Sequence, residues 1–165
     1  GAHGSNRTGR MFTGDASGDF LYPALHRACF ANQPTGDHIG DGLKLKNAFI
    51  TAICRCVPPK NRPYVAEIKN CLPWLEAEID LLENLQGYVA LGRIAFEGII
   101  RMYKMQGMDL PNVNFGHNNF FDLGPGLPWL LSSYHPSQQN TLTGRLTEEM
   151  FDGVWEQARA LIGES

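Results

Sequence analysis

The chain has 165 residues, of which 43% are apolar, enough for one hydrophobic core and too few for two ordinary domains. No apolar run approaches the roughly 20 residues that a membrane-spanning helix requires, and the opening GAHGSNRTGR lacks the charged and apolar regions of an export signal. The sequence therefore reads as one soluble, unexported domain over 1–165. The net charge of −3 hides an asymmetry: residues 1–62 hold eight Lys/Arg against four Asp/Glu, and residues 63–165 hold six against thirteen. A basic first part suits a polyanionic partner, but four excess charges are few for a nucleic-acid binder, and an unevenly charged surface accounts for them equally well.

Apolar runs of β type alternate with helical patterns, and there is no internal repeat or low-complexity tract, which is an α/β signature. The first segment, GAHGSNRTGRMFTGDASGD, is Gly-rich and polar and reads as a loop. SGDFLYPALHRACF (17–30) places Phe20, Leu21, Ala24, Leu25 and Ala28 at helical spacing behind a Ser17 cap. NAFITAIC (47–54) reads as a strand. After VPPKNRP, residues 64–82 are helical in pattern, with Pro73 expected to kink or restart the helix. GYVALG (87–92) is a short buried strand leading into a helix over 93–105. The stretch 112–128 is loop or hairpin, WLLSSY (129–134) is a strand, and Thr147 opens a last helix that runs to about Ile162.

In open parallel sheets the ligand site lies beyond the carboxyl ends of the strands. By that rule CVPPKNRP, the GR after residue 91, and HPSQQNTLTGR are the informative loops. His135 stands directly behind an apolar strand, and Pro136 restricts its backbone toward the extended region. Ser137, Gln138, Gln139 and Asn140 supply neutral donors and acceptors suited to phosphates, base edges or water. The alternative is a turn whose polar residues cap the next segment. Lys60, Arg62, Arg145 and Arg7 lie in these loops and in the opening segment, placed to neutralise phosphates without reading sequence, with the Ser137 hydroxyl as a further phosphate contact.

Four segments, GAHGSNRTGRMFTGDASGDFLYPAL, FITAICRCVPPKNRP, YVALGRIAFE and LLSSYHPSQQNTLTGRLTEEMF, come in one order over nearly the whole chain. That set resembles the uracil-DNA glycosylase superfamily, and within it the type-b, or fifth, family of bacteria and archaea, in a form cut within its first motif. The resemblance implies a three-layer α/β/α sandwich around a mostly parallel four-stranded sheet, with the first strand missing here. It implies a monomeric enzyme of the prokaryotic cytoplasm, associated with the nucleoid, that acts on DNA containing deaminated bases.

Such an enzyme flips a base from the stack and stabilises charge while the N-glycosidic bond breaks. Phe12 resembles the aromatic on which the flipped pyrimidine stacks, with core packing as the plain alternative. His135 matches the histidine that hydrogen-bonds toward the uracil carbonyl. Asp15 matches an aspartate that polarises the water, and capping of the following helix is its competing role. The resemblance also points to Asn61 and Asn140 as polar groups of the active site.

Ala52 stands where other branches of the superfamily place an asparagine that reads the uracil edge. The smaller side chain implies a broader range that includes hypoxanthine and xanthine. Cys56 and Cys71 resemble half of the family's four-cysteine framework for a [4Fe–4S] cluster, which requires four thiolates. Cys54, two residues from Cys56, could face the same side of an extended segment, and Cys29 reads as a small core residue. Two other readings compete: a catalytically silent DNA-binding domain on the same scaffold, and a phosphate-handling α/β enzyme. The second lacks both GxxxxGK[ST] and GxGxxG.

Overall fold

The computed structural model of the chain describes residues 2–55, 57–58 and 63–163. In chain order the elements are α1 (Ala2–Thr8), α2 (Ala16–Arg27), α3 (Val65–Asp80), β1 (Gly87–Leu91), α4 (Arg93–Met105), β2 (Asn119–Phe121), β3 (Trp129–Ser133), α5 (Gln138–Leu142) and α6 (Glu148–Leu161). They fall into two compact units, one made of residues 1–51 with 135–165 and the other of residues 52–134.

The unit of residues 52–134 carries the sheet. Its order is β1-β3-β2, with β1 and β3 parallel in the register Gly87↔Trp129 to Leu91↔Ser133, and β2 antiparallel to β3. The chain leaves β1 through Gly92, whose φ of 101° is a left-handed turn that glycine adopts without a side-chain penalty; its N–H donates to the Ser133 carbonyl at 2.8 Å before α4 begins. Leu72 and Leu75 of α3, Phe96, Ile99 and Met102 of α4, and Leu130 of β3 form the core of this unit. His117 Nδ1 accepts the Tyr134 N–H at 3.3 Å, at the end of β3.

The other unit is built on α2 and α6. Leu21, Ala24, Leu25 and Ala28 are buried as the helical spacing predicts, and Phe151, Val154 and Trp155 of α6 are buried in the same unit. Phe20 packs on Phe151 at 5.4 Å between ring centroids. Arg27 grips Asp152 with two parallel hydrogen bonds, Nη2 to Oδ1 at 2.7 Å and Nε to Oδ2 at 2.9 Å. Thr147 caps α6 by accepting from Met150 N, and the helix ends at Leu161, as its sequence pattern predicts.

Several expectations are corrected. The opening segment forms a helix, α1, before its loop. Residues 47–54 lie outside every strand, because an apolar run becomes a strand only when a neighbour pairs with it; among the described residues the sheet has three strands, the number expected of a four-stranded sheet without its first. The third strand, β2, comes from the 112–128 stretch and makes the sheet mixed. α3 runs without a break through Pro73. The cap of α2 is Asp15, two residues before the expected Ser17. Cys29 is exposed just past the end of α2, with φ of 61°, rather than in the core. Among the described residues no helix is long and apolar enough to cross a membrane.

Candidate active site

The loop from Gly9 to Asp15 joins α1 to α2 and is held residue by residue. Arg10 pairs with the buried carboxylate of Asp41 at 2.5 Å. Burial alone would raise the Asp41 carboxyl, but the N–H groups of Leu43, Asp37 and His38 together with the Arg10 guanidinium outweigh it and hold the group well below the usual carboxylate range. The Met11 carbonyl accepts from the Tyr22 hydroxyl at 2.5 Å. Thr13 is buried, hydrogen-bonded to Thr8 and to the Arg10 carbonyl. Arg7 reaches across to the Gly14 carbonyl at 3.3 Å.

Phe12, in the middle of this loop, has φ of 56°. A side-chain-bearing residue in that region costs about 1–2 kcal/mol, and such strain persists only where the surroundings over-determine it. The side chain so aimed meets His135: the rings lie 5.8 Å apart between centroids, inclined by 29°. The two residues that the resemblance implies for base stacking and carbonyl contact, 123 positions apart in the chain, are therefore in ring contact.

Asp15 closes the loop. Its Oδ1 accepts from the N–H groups of Ser17 and Gly18 at 3.0 and 3.4 Å, which makes it the N-cap of α2, while Oδ2 is buried and stands outside the cap. The capping role is thus real, and it uses one oxygen of two. Burial lowers the His135 imidazole below its ordinary value, and the Asp15 charge acts against that shift, so the carboxylate lies within electrostatic reach of the ring.

On the other side, Asn140 donates from Nδ2 to the His135 carbonyl at 2.8 Å, and Ser137 Oγ accepts from Asn140 N at 3.4 Å as the N-cap of α5. Pro136 between them is buried. The polar run after His135 is thus a short capped helix whose asparagine turns back to hold the histidine's own backbone. Leu142 on α5 is 78% exposed, unusual for a leucine.

Phe12, Asp15, His135 and Asn140 converge in one unit, with Arg7 and Arg145 exposed in the same unit. Ala52 lies half-buried in the other unit, outside regular secondary structure and next to buried Ile53. Lys60, Asn61, Arg62 and Cys56 lie outside the described residues. Tyr22 and Gly18 are contributors to the loop that the sequence reading passed over. Their signal was present in the i, i+4 spacing on a helix that follows the loop directly.

The implied iron–sulfur cluster needs four thiolates. Cys71 is half-buried in α3, Cys54 packs against the core of its unit, and Cys29 is exposed in the other unit. Among the described residues no three His, Cys, Asp or Glu side chains are grouped to hold a metal. The described residues therefore do not form a cluster site by themselves.

The family model of the uracil DNA glycosylase superfamily matches residues 1–159. A type-5 uracil-DNA glycosylase of Thermus thermophilus is 50% identical over 163 residues, which is 99% of this chain and 72% of that protein. The chain belongs to the uracil-DNA glycosylase superfamily. Type-5 uracil-DNA glycosylases of Mycobacterium bovis and Pyrobaculum aerophilum are 48% and 38% identical over 98% of the chain. The chain spans 60% of the Mycobacterium bovis protein and 68% of the Pyrobaculum aerophilum one. Membership in this superfamily agrees with the α/β class and with the order of motifs along the chain.

Proposed function

We propose that the chain is a monofunctional uracil-DNA glycosylase, a hydrolase of the N-glycosidic bond that acts as a monomer on DNA carrying deaminated bases. The observation that carries this reading is the ring contact of Phe12 with His135 beside Asp15. A flipped uracil packs against Phe12 with its carbonyl edge turned to the His135 imidazole. Burial favours the neutral imidazole, which donates one hydrogen bond to the oxygen where negative charge develops as the base leaves. Asp15 polarises the attacking water with the oxygen that the cap does not use and offsets positive charge on the sugar. Water adds to the anomeric carbon, the bond to the base nitrogen breaks with its electron pair leaving on uracil, and the water's second proton passes to the carboxylate.

Asn61 is assigned to water or backbone contact, and Asn140 to holding His135. Arg7, Lys60, Arg62 and Arg145 neutralise phosphates, with the Ser137 hydroxyl proton left to donate to one. Four such cations give a slope of about −3 to −4 for log affinity against log salt. Leu142, exposed on α5, suits insertion into the gap left by the flipped base, since apolar side chains act as wedges between base steps. Cys56 and Cys71 are assigned as two thiolates of a [4Fe–4S] cluster that also needs two more; iron and acid-labile sulfide content of wild type and Cys71→Ala protein tests that assignment.

The finer specificity follows from Ala52, whose small side chain leaves room for hypoxanthine and xanthine. The test is release of free base from labelled duplexes with a single uracil, hypoxanthine or xanthine, followed by alkaline strand cleavage, for wild type, Asp15→Ala and Ala52→Asn. Uracil release that disappears in Asp15→Ala supports the enzyme. Binding of the uracil duplex without release would instead leave the silent DNA-binding domain. Release of uracil alone by the wild type would remove the Ala52 argument.

A further inference from the structure

Gly18 and Tyr22 stand four residues apart on α2 and so share one face of the helix, the face turned to the loop that carries Phe12. Each meets one of the two peptide units that flank Phe12. On the amino side, the Tyr22 hydroxyl donates to the Met11 carbonyl at 2.5 Å. On the carboxyl side, the Phe12 carbonyl rests so close over Gly18 that a Cβ there would come within 1.7 Å of its oxygen. Fixing both peptide planes fixes φ and ψ of the residue between them, and that residue is the one held at φ of 56°.

Packing alone does not do this. A cavity of about 220 Å³ opens beside Met11, with Tyr22, Leu45 and Phe49 among its walls, so the Met11 peptide has space to turn if its hydrogen bond is lost. The Tyr22 ring is buried and seated against Gly36, where a Cβ would lie 2.5 Å from the ring edge, and its position therefore does not depend on the hydroxyl. Burial, with Asp41 reinforcing it and Arg10 opposing, pushes the phenol up to about 12, which keeps it a proton donor over the whole working range.

We infer that Tyr22 is a positioning residue for base recognition: acting with Gly18, its hydroxyl sets the backbone of Phe12 so that the ring is presented to the flipped base. The inference rests on Phe12 being the stacking residue. Tyr22→Phe removes the hydroxyl and keeps the ring. It is expected to lower single-turnover uracil release about tenfold, measured well below its unfolding midpoint, with unchanged affinity for undamaged duplex. In a Phe12→Leu background the same substitution is expected to cost nothing further, because there is no ring left to aim.

Gly18→Ala, which drives the Phe12 carbonyl off the helix, is expected to lose at least as much as Tyr22→Phe and provides a second route to the same readout. A wild-type rate in Tyr22→Phe overturns the inference and leaves the stacking reading standing. An equal loss in both backgrounds also overturns it, since it marks a purely structural role. Wild-type activity in Phe12→Leu removes the stacking reading, and this inference falls with it.

Discussion

The side chain of Asn140 donates to the main-chain carbonyl of His135 at 2.8 Å, so the asparagine ties down the backbone of the histidine. A hydrogen bond of this kind is worth about 1 kcal/mol, more when its loss leaves a buried acceptor unpaired. Asn140→Ala should therefore lower uracil release about tenfold, far less than loss of the imidazole. Asn140→Asp, which replaces the donor with a carboxylate facing a carbonyl, should do worse. Comparison of the two by single-turnover kinetics decides; equal rates for Asn140→Asp and wild type would exclude this role.

Asp15 caps α2 and carries the proposed role of water activation, and the two separate by substitution. Asparagine caps a helix about as well as aspartate, so Asp15→Asn should unfold within about 0.5 kcal/mol of wild type by urea titration. Its base release should fall by 10²–10⁴, the usual contribution of a general base. Asp15→Ala should lose the same activity and about 1 kcal/mol of stability as well. An active Asp15→Asn enzyme would mean that the residue is a cap and nothing more.

His135 has its imidazole lowered below the ordinary value near 6.5 by burial, against the opposing pull of Asp15. The unfolded chain takes up the proton first, so the contribution to stability is whole above about pH 6.5 and is lost as pH falls through the folded value. Uracil release should fall over the same acid range if the neutral ring is the working form. The midpoint of that limb should lie below 6.5, and His135→Gln should lack it. A limb centred above 6.5 would contradict the assignment.

Arg27 and Asp152 are half-exposed, which limits their bidentate pair to about 0.5–1 kcal/mol. Arg27→Ala should lower the urea midpoint by a corresponding amount and leave base release unchanged at temperatures where the protein is folded. A loss greater than about 3 kcal/mol would show that the pair is doing more than a surface ion pair does.

Leu142 should matter only in duplex DNA. Leu142→Ala should slow release from a paired uracil several-fold and leave release from single-stranded substrate near the wild-type rate, because an unpaired strand has no gap to fill. Equal losses on both substrates would assign the side chain to packing.

The sequence was most legible where a single element carried its own signal. The α4 and α6 boundaries could be read from capping and period alone, because Gly92 and Thr147 mark sharp starts. His135 and Phe12 were legible through motif resemblance, but their contact was not, since a separation of 123 positions leaves no local sign of it. The strand expected at 47–54 failed because apolarity reports burial and not pairing. The sequence offers base and cap as alternatives for Asp15, of which the structure shows the cap, and it points to Ser17 as cap because any of several polar residues can begin α2. The clamp of Tyr22 on Met11 joins a tyrosine hydroxyl to a backbone carbonyl, and a backbone carbonyl has no letter in the sequence.

The unit that holds Phe12, Asp15 and His135 is assembled from the two ends of the chain, residues 1–51 and 135–165, while residues 52–134 form a contiguous unit between them. During synthesis the part of the site before residue 52 leaves the ribosome ahead of residues 52–134 and waits for its partner until residues 135–165 have followed. The contiguous middle has all its strands available before then and is free to fold first. Exposed α2, with its buried leucines and Tyr22, is then the surface most in need of protection from aggregation in the nascent chain, and a chain stopped before His135 would carry a formed sheet and no active site.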